Sequence, residues 1–364
     1  MALNCGIIGL TNTGKTTIFN CMSNTKAESS NYAFSATKSN IGVVDVPDGR
    51  LYEIDKLLPA DKVVPATVEI VDLPGLAKGA SHGEGVGNKF LADIQQTDAL
   101  IHVLRCFDDD NLPHIEGSVD PVRDLEIVDF ELQVRDLELV TRKLQRLEKL
   151  AKTGNKEAKH GVEVLQVYKE HLENFGNAID APVDEKEREY VRDLLLLTAK
   201  PVIYVCNVDD ESAINGNEYV EKVKKALGEN AKVLLIAGEL EAEIAELDDE
   251  NDRKAFLEDA GLAEPGVNKL IRAAYDILNL QSFFTIGKTE NRAWTIRKGM
   301  TAPQAAGVIH SDLERGFIRA EVIKYDDFIK YGSEQAVKEA GKFHVEGKNY
   351  VVEDGDILHI RFNV

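Results

Sequence analysis

An α/β fold built on a parallel, doubly wound sheet is what this 364-residue chain predicts, and three observations carry the reading. Short runs rich in Val and Ile alternate with polar helical patterns in the first third of the chain and again after Pro201. The first of these runs leads directly into a glycine-rich turn and then a helical pattern. Hydrophobic residues make up 43% and charged residues 29%, the balance of a globular chain and not of a disordered, collagen-like or low-complexity one.

The elements follow in order. Leu3–Leu10 is the first strand, Thr16–Met22 opens a helix, and Ile41–Val46, Thr67–Asp72 and Leu100–Cys106 are further strands. Pro201–Asn207 and Lys232–Ile236 complete the series, and ligands of such a sheet bind at the carboxyl ends of its strands. An insertion over Asp124–Ala199 has no strand signal. Apolar residues at Leu137, Val140, Leu144, Leu147 and Ala151 recur at spacings of three and four, Thr153-Gly154-Asn155 interrupts them, and Val162, Leu165, Tyr168 and Leu172 resume. That pattern predicts a coiled-coil helical hairpin. From Gln281 on, four strand-like runs and a helix at Thr301–His310 predict a small mixed β-grasp module. The expected division is residues 1–124 with 200–280, then 125–199, then 281–364.

Charge restricts the partners. With 43 Lys+Arg against 63 Asp+Glu the chain carries −20 at a pI near 4.9, so a polyanion is repelled by the molecule as a whole. Acidic and basic residues balance after Gln281, which leaves the excess upstream. Any RNA contact needs a local basic patch, and the hairpin supplies one: Arg142, Lys143, Arg146, Lys149, Lys152, Lys156 and Lys159 face only Glu148 and Glu157. Four scattered cysteines (Cys5, Cys21, Cys106, Cys206) lack ligand spacing and read as reduced thiols. The N-terminus has no export signal and no segment is apolar enough to span a bilayer, so a cytoplasmic location without membrane contact is expected.

The chemistry lies at the strand ends. Gly9-Leu10-Thr11-Asn12-Thr13-Gly14-Lys15-Thr16 is the phosphate-binding pattern G-x-x-x-x-G-K-[ST] in its required place between strand and helix. Backbone N–H groups curl around the β-phosphate, Lys15 reaches the β and γ oxygens, and Thr16 offers a hydroxyl to Mg²⁺. Asp72-Leu73-Pro74-Gly75 ends the strand Thr67–Asp72, with Asp72 placed to hold Mg²⁺ and the Gly75 N–H to contact the γ-phosphate. The two together indicate a P-loop NTPase of the G-domain type. Leu76 stands where related switch proteins keep a water-orienting glutamine, so another group must act, and His82 and His114 are the histidines in reach. Asn207-Val208-Asp209-Asp210 takes the place of the guanine-reading N-K-x-D. Val208 removes the lysine that covers the base while Asp210 keeps the acid, so these residues leave the base open between adenine and guanine.

Collinear motifs over essentially the whole chain resemble the YchF family of Obg-like ATPases. They are Gly9–Thr17, Asn31-Tyr32-Ala33-Phe34, Lys78-Gly79-Ala80-Ser81, Gly83–Leu91, Ala242-Glu243-Ile244-Ala245-Glu246-Leu247 and Gly316–Val322. The resemblance implies an OBG-type nucleotide domain, a coiled-coil insertion and a C-terminal TGS domain. It implies a slow Mg²⁺-dependent ATPase that prefers ATP to GTP, acting as a monomer on the ribosome (70S and 50S subunit) and its RNA; the alternatives are a GTPase of the same fold, or a ribosome or RNA adaptor in which nucleotide mainly stabilises the fold. A monovalent cation beside the Mg²⁺ is the further cofactor considered. Nucleotide contacts fall on Asn12, Thr13, Gly14, Lys15, Thr16, Thr17, Gly75, Asn207, Val208 and Asp210; metal contacts fall on Thr16, Asp72 and switch I. There Ala36 occupies the family's threonine position, with Thr37 one residue later. The family's proposed catalytic histidine maps to His114. Asp210 stands where the family has Glu, and Thr11 and Thr13 where it has Pro and Val.

Overall fold

A computed structural model describes residues 3–23, 39–76 and 86–363. The strands in chain order are β1 (Asn4–Ile8), β2 (Asn40–Asp45), β3 (Val63–Val64), β4 (Thr67–Asp72), β5 (Ala99–Arg105), β6 (Val202–Asn207), β7 (Lys232–Ile236), β8 (Leu280–Thr285), β9 (Asn291–Arg297), β10 (Phe317–Ile323), β11 (His344–Glu346) and β12 (Ile357–Phe362). The helices used below are α1 (Lys15–Met22), α2 (Gly49–Leu57), α3 (Val86–Gln95), α4 (Pro121–Ala151), α5 (Lys156–Glu173), α6 (Glu218–Leu227) and α7 (Gly238–Glu246).

Two six-stranded sheets result, with orders β2-β4-β1-β5-β6-β7 and β11-β10-β12-β8-β9-β3. In the first, β1, β5, β6 and β7 pair in parallel. Every residue of β5 is buried, which is why its sequence is mostly apolar on both faces and does not alternate. The second sheet is mixed: β8 pairs antiparallel with β9 and parallel with β12, and β10 pairs antiparallel with both neighbours.

The chain divides into two compact units, Leu3–Gly42 with Ile70–Lys269, and Val43–Glu69 with Leu270–Val364. This differs from the expected boundaries in two places, each with a physical reason. The insertion belongs to the first unit because α4 is rooted in the sheet. Val128 and Leu132 pack with Ile8, Leu100 and Leu197, and Leu125 packs with Leu104 and Cys206. Farther out, Val140, Leu144, Val164, Leu165, Tyr168 and Leu172 form the hairpin's own core. The helices break where expected, and the Asn155 side chain caps α5 by accepting from the Ala158 N–H at 3.0 Å.

The second difference is the segment Val43–Glu69, expected with the nucleotide domain. β3 adds in parallel to β9, Asn291 donates to Asp55 Oδ1 (2.8 Å) and to the Leu58 carbonyl (2.7 Å), and Arg50 pairs with Asp354 at 2.8 Å. All three ties reach more than two hundred residues along the chain, so no local pattern announces them. The four cysteines are not joined in disulfides, and Cys5, Cys106 and Cys206 are buried. Among the described residues no helix is long and apolar enough to cross a membrane.

Candidate functional site

Residues 9–16 form a turn between β1 and α1 whose backbone only glycine tolerates at two points. Gly9 has φ +147° and a Cβ there would lie 2.5 Å from the Val103 carbonyl oxygen; Gly14, the residue before α1, has φ +93° and lies against the Asn207 side chain. Asn207 ends β6 and is buried. Its Nδ2 donates to the Thr13 carbonyl (3.0 Å) while its Oδ1 accepts from the Gly238 N–H (2.9 Å), so one side chain ties the loop to the start of α7. Thr13 Oγ1 donates to the Leu10 carbonyl at 3.1 Å and closes the loop on itself. Thr17 follows in the first turn of α1.

Lys15 is buried and donates from Nζ to the Leu10 carbonyl at 2.5 Å. Burial pushes its ammonium down to about 8, against the attraction of Asp72, so the loop carries a cation that an anionic ligand would stabilise. His102, one strand over and fully buried, is pushed down to about 3 by burial with Lys15 acting in the same direction. Lys15 therefore carries the positive charge in this part of the core.

Thr16 Oγ1 donates to Asp72 Oδ2 at 3.0 Å. Burial raises the Asp72 carboxyl, and its Oδ1 is buried with no hydrogen-bond partner among the described residues. A hydroxyl beside a carboxylate with an orphaned oxygen is a donor set that fits a hard divalent cation. Gly75 lies against Thr11, whose Oγ1 is likewise buried and unpartnered among the described residues. The Leu76 N–H donates to the Gly9 carbonyl at 3.0 Å, and the Leu76 side chain is core. Ala36, Thr37 and His82 lie outside the described residues.

The base end is built differently. The Val208 N–H donates to the Ile236 carbonyl (2.9 Å) and its side chain packs in the core with Val220 and Ala237, so only its backbone is available to a ligand. Asp209 is consumed as a cap, accepting from the Ser212 N–H at 2.9 Å, and Asp210 is exposed.

His114 lies in the loop between β5 and α4, which the Asn12 Nδ2 reaches by donating to the Pro113 carbonyl at 3.3 Å. Its imidazole is closed from solvent. Nε2 is 2.8 Å from Asp124 Oδ2, and Nδ1 accepts from the Glu116 N–H at 3.1 Å. Sequence reasoning missed both Asp124 and Arg105. The Arg105 guanidinium, buried at the end of β5, donates to the carbonyls of Phe107 (3.1 Å), Leu112 (2.7 Å) and Asp109 (3.3 Å) and holds the loop from beneath. The signal available was an arginine closing a mostly apolar strand.

A family model described as "50S ribosome-binding GTPase" matches residues 4–208, and a second, YchF-GTPase_C, described as "Protein of unknown function (DUF933)", matches residues 280–363. The protein titled "Ribosome-binding ATPase YchF" of Bacillus subtilis (strain 168) is 47% identical over the full length of both chains. The chain belongs to the YchF family. The YchF protein of Escherichia coli O157:H7, under the same title, is 46% identical, again over the full length of both. A solved structure titled "Structure of the Schizosaccharomyces pombe YchF GTPase" superposes with a TM-score of 0.86 at 35% identity, covering 99% of this chain and 97% of that one. The YchF fold thus joins a P-loop domain, a helical hairpin and a C-terminal β module in one chain.

Proposed function

We propose that this chain is a Mg²⁺-dependent P-loop ATPase that works as a slow nucleotide switch on the ribosome and its 50S subunit. The observation that carries the reading is the preformed cradle in which Asn207 ties the phosphate loop to α7 and Lys15 stands buried within the loop. Asn12, Thr13, Gly14 and Thr17 supply backbone around the phosphates, Lys15 neutralises them, and Gly75 reports the γ-phosphate. Thr16 and Asp72 would hold Mg²⁺, which when bound offsets charge on the β and γ oxygens. Leu76 has no polar group to orient water, and the family resemblance assigns the positioned base to His114. The three-part functional division, with the C-terminal module as a TGS domain, is kept alongside the two compact units.

Titles of the relatives name ATPase in one case and GTPase in another, and the base end favours neither outright. Asp210 is free to accept from guanine, the observation that supports GTP as a second reading; the absent lysine cover supports ATP. Competition binding decides: ATP is expected to displace a labelled nucleotide at lower concentration than GTP, and the reverse order overturns the assignment.

In this reading the hairpin tip makes the ribosome contact. Arg142 is paired with Glu138 and Lys143 with Asp193, whereas Arg146, Lys149, Lys152, Lys156 and Lys159 are exposed and make no ion pair among the described residues. Lys149 and Lys152 close α4, where the helix dipole favours cations, but Lys156 and Lys159 open α5, where it opposes them. A tip that gathers charge against its own helix suits a polyanion. Substituting Lys149, Lys152 and Lys156 by Ala should weaken co-sedimentation with ribosomes and flatten its salt dependence by about one unit of slope for each phosphate no longer neutralised.

A further inference from the structure

His114 can act on water only through a nitrogen that is free to accept a proton, and in this structure neither is free. Two donors face Nδ1: the Glu116 N–H at 3.1 Å and the Arg123 guanidinium at 3.5 Å. Nδ1 is therefore the unprotonated nitrogen, and Nε2 carries the hydrogen that it donates to Asp124 Oδ2 at 2.8 Å. The side chains of His114 and Asp124 are only 2% and 1% exposed, so water does not compete for either bond. Asp124 is fixed in turn. Its Oδ1 accepts from Arg123 Nε (3.2 Å) and Nη2 (2.8 Å), and Arg123 also reaches the Ser118 carbonyl (2.6 Å) and hydroxyl (3.1 Å).

We infer that Asp124, set by Arg123, is a positioning residue that holds His114 in a resting form whose two nitrogens are both engaged, and that turnover requires the His114–Asp124 bond to open. The inference rests on the proposed role of His114 in catalysis. Asp124 stands in the first turn of α4, a 31-residue helix whose other end is the basic tip. At about 1.5 Å per residue α4 is some 45 Å long, a rigid element that joins the tip to the latch. A partner that shifts or tilts α4 on binding the tip would thus act on the histidine without touching the nucleotide.

Asparagine at position 124 offers one acceptor where aspartate offers two, so it can serve His114 or Arg123 but not both. In the full-length protein, Asp124→Asn is expected to raise kcat for ATP by up to about tenfold, the worth of one charge-assisted hydrogen bond, with nucleotide Kd unchanged. In the Asp124→Asn, His114→Ala double variant the gain should vanish, leaving the His114→Ala rate. Nitrogen-15 imidazole spectra of the wild type should show His114 as a single Nε2–H tautomer that becomes averaged in Asp124→Asn. Unchanged turnover in His114→Ala alone would overturn the catalytic reading of His114. A lowered rate in His114→Ala combined with no gain in Asp124→Asn would overturn the latch and leave that reading intact. Should Asp124→Asn fail to fold, the wild-type spectrum still decides, because an Nδ1–H or averaged imidazole contradicts the resting form.

Discussion

The phosphate end and the base end of the nucleotide site are built in opposite ways. At the phosphate end nearly every group is committed before a ligand arrives. Asn207 spans two loops, Gly14 leaves it room, and Lys15 and Asp72 are buried with unmet electrostatic demand. At the base end Val208 is absorbed into the core, the Asp209 carboxylate is spent on a cap, and Asp210 lies exposed in solvent. Buried, mutually bonded groups lose little freedom when a ligand binds, whereas an exposed carboxylate must be ordered and desolvated first. Under the proposed function, the phosphate end supplies most of the affinity and the base end little of the selectivity.

The strongest test of that contrast is Lys15→Ala, which removes the buried counter-charge. It should cost about 3 kcal/mol, a hundredfold or more in affinity, for ATP and GTP alike, measured by titration with a fluorescent nucleotide. A loss confined to one base would mean that the two ends are not independent.

Asn207→Ala cuts the tie instead of the charge. It leaves the Thr13 carbonyl and Gly238 N–H without their partner and should lower stability by about 1–3 kcal/mol in urea unfolding, with nucleotide affinity falling in parallel. Full stability would show that the loop stands without Asn207.

Acidity offers a milder probe. Lys15 in the free protein loses its proton near pH 8, far below an ordinary lysine, while a bound phosphate favours the charged form. Binding then takes up a proton above that point, so affinity should be flat below about pH 8 and weaken by up to about tenfold per unit above it. In Lys15→Ala that slope should disappear.

The smallest effect is expected at Asp210. Replacing it by Ala should change the ratio of ATP to GTP affinity by about tenfold at most, in favour of ATP, because an exposed acceptor contributes little and only to guanine. A larger change would make the base end as selective as the phosphate end.

Much of this site was legible along the chain because its chemistry is local. The sequence from Gly9 to Thr16 contains both the turn and the groups it presents, and Asp72 ends a strand recognisable by its own residues. The hairpin was equally readable, since its seam repeats at helical spacing and its break is a Thr-Gly-Asn turn. The partners of these elements were not. His114 could be placed in the loop between β5 and α4, but that Asp124 and the Glu116 N–H occupy both its nitrogens depends on how α4 enters the sheet core.

By itself the sequence determined the parallel sheet, the phosphate loop with the Asp72 carboxylate beside it, the helical hairpin and the mixed C-terminal module, each of which is specified by residues within one or two turns or strands. Only the tertiary structure decided three matters. Val43–Glu69 joins the C-terminal unit, Val208 faces the core, and Asn207 reaches the Thr13 carbonyl from 194 residues away. The reason is physical: hydrophobic period and turn chemistry act over a few neighbouring residues, whereas a buried hydrogen bond between distant segments is chosen by which pairing leaves the fewest polar groups unsatisfied once the whole chain has packed.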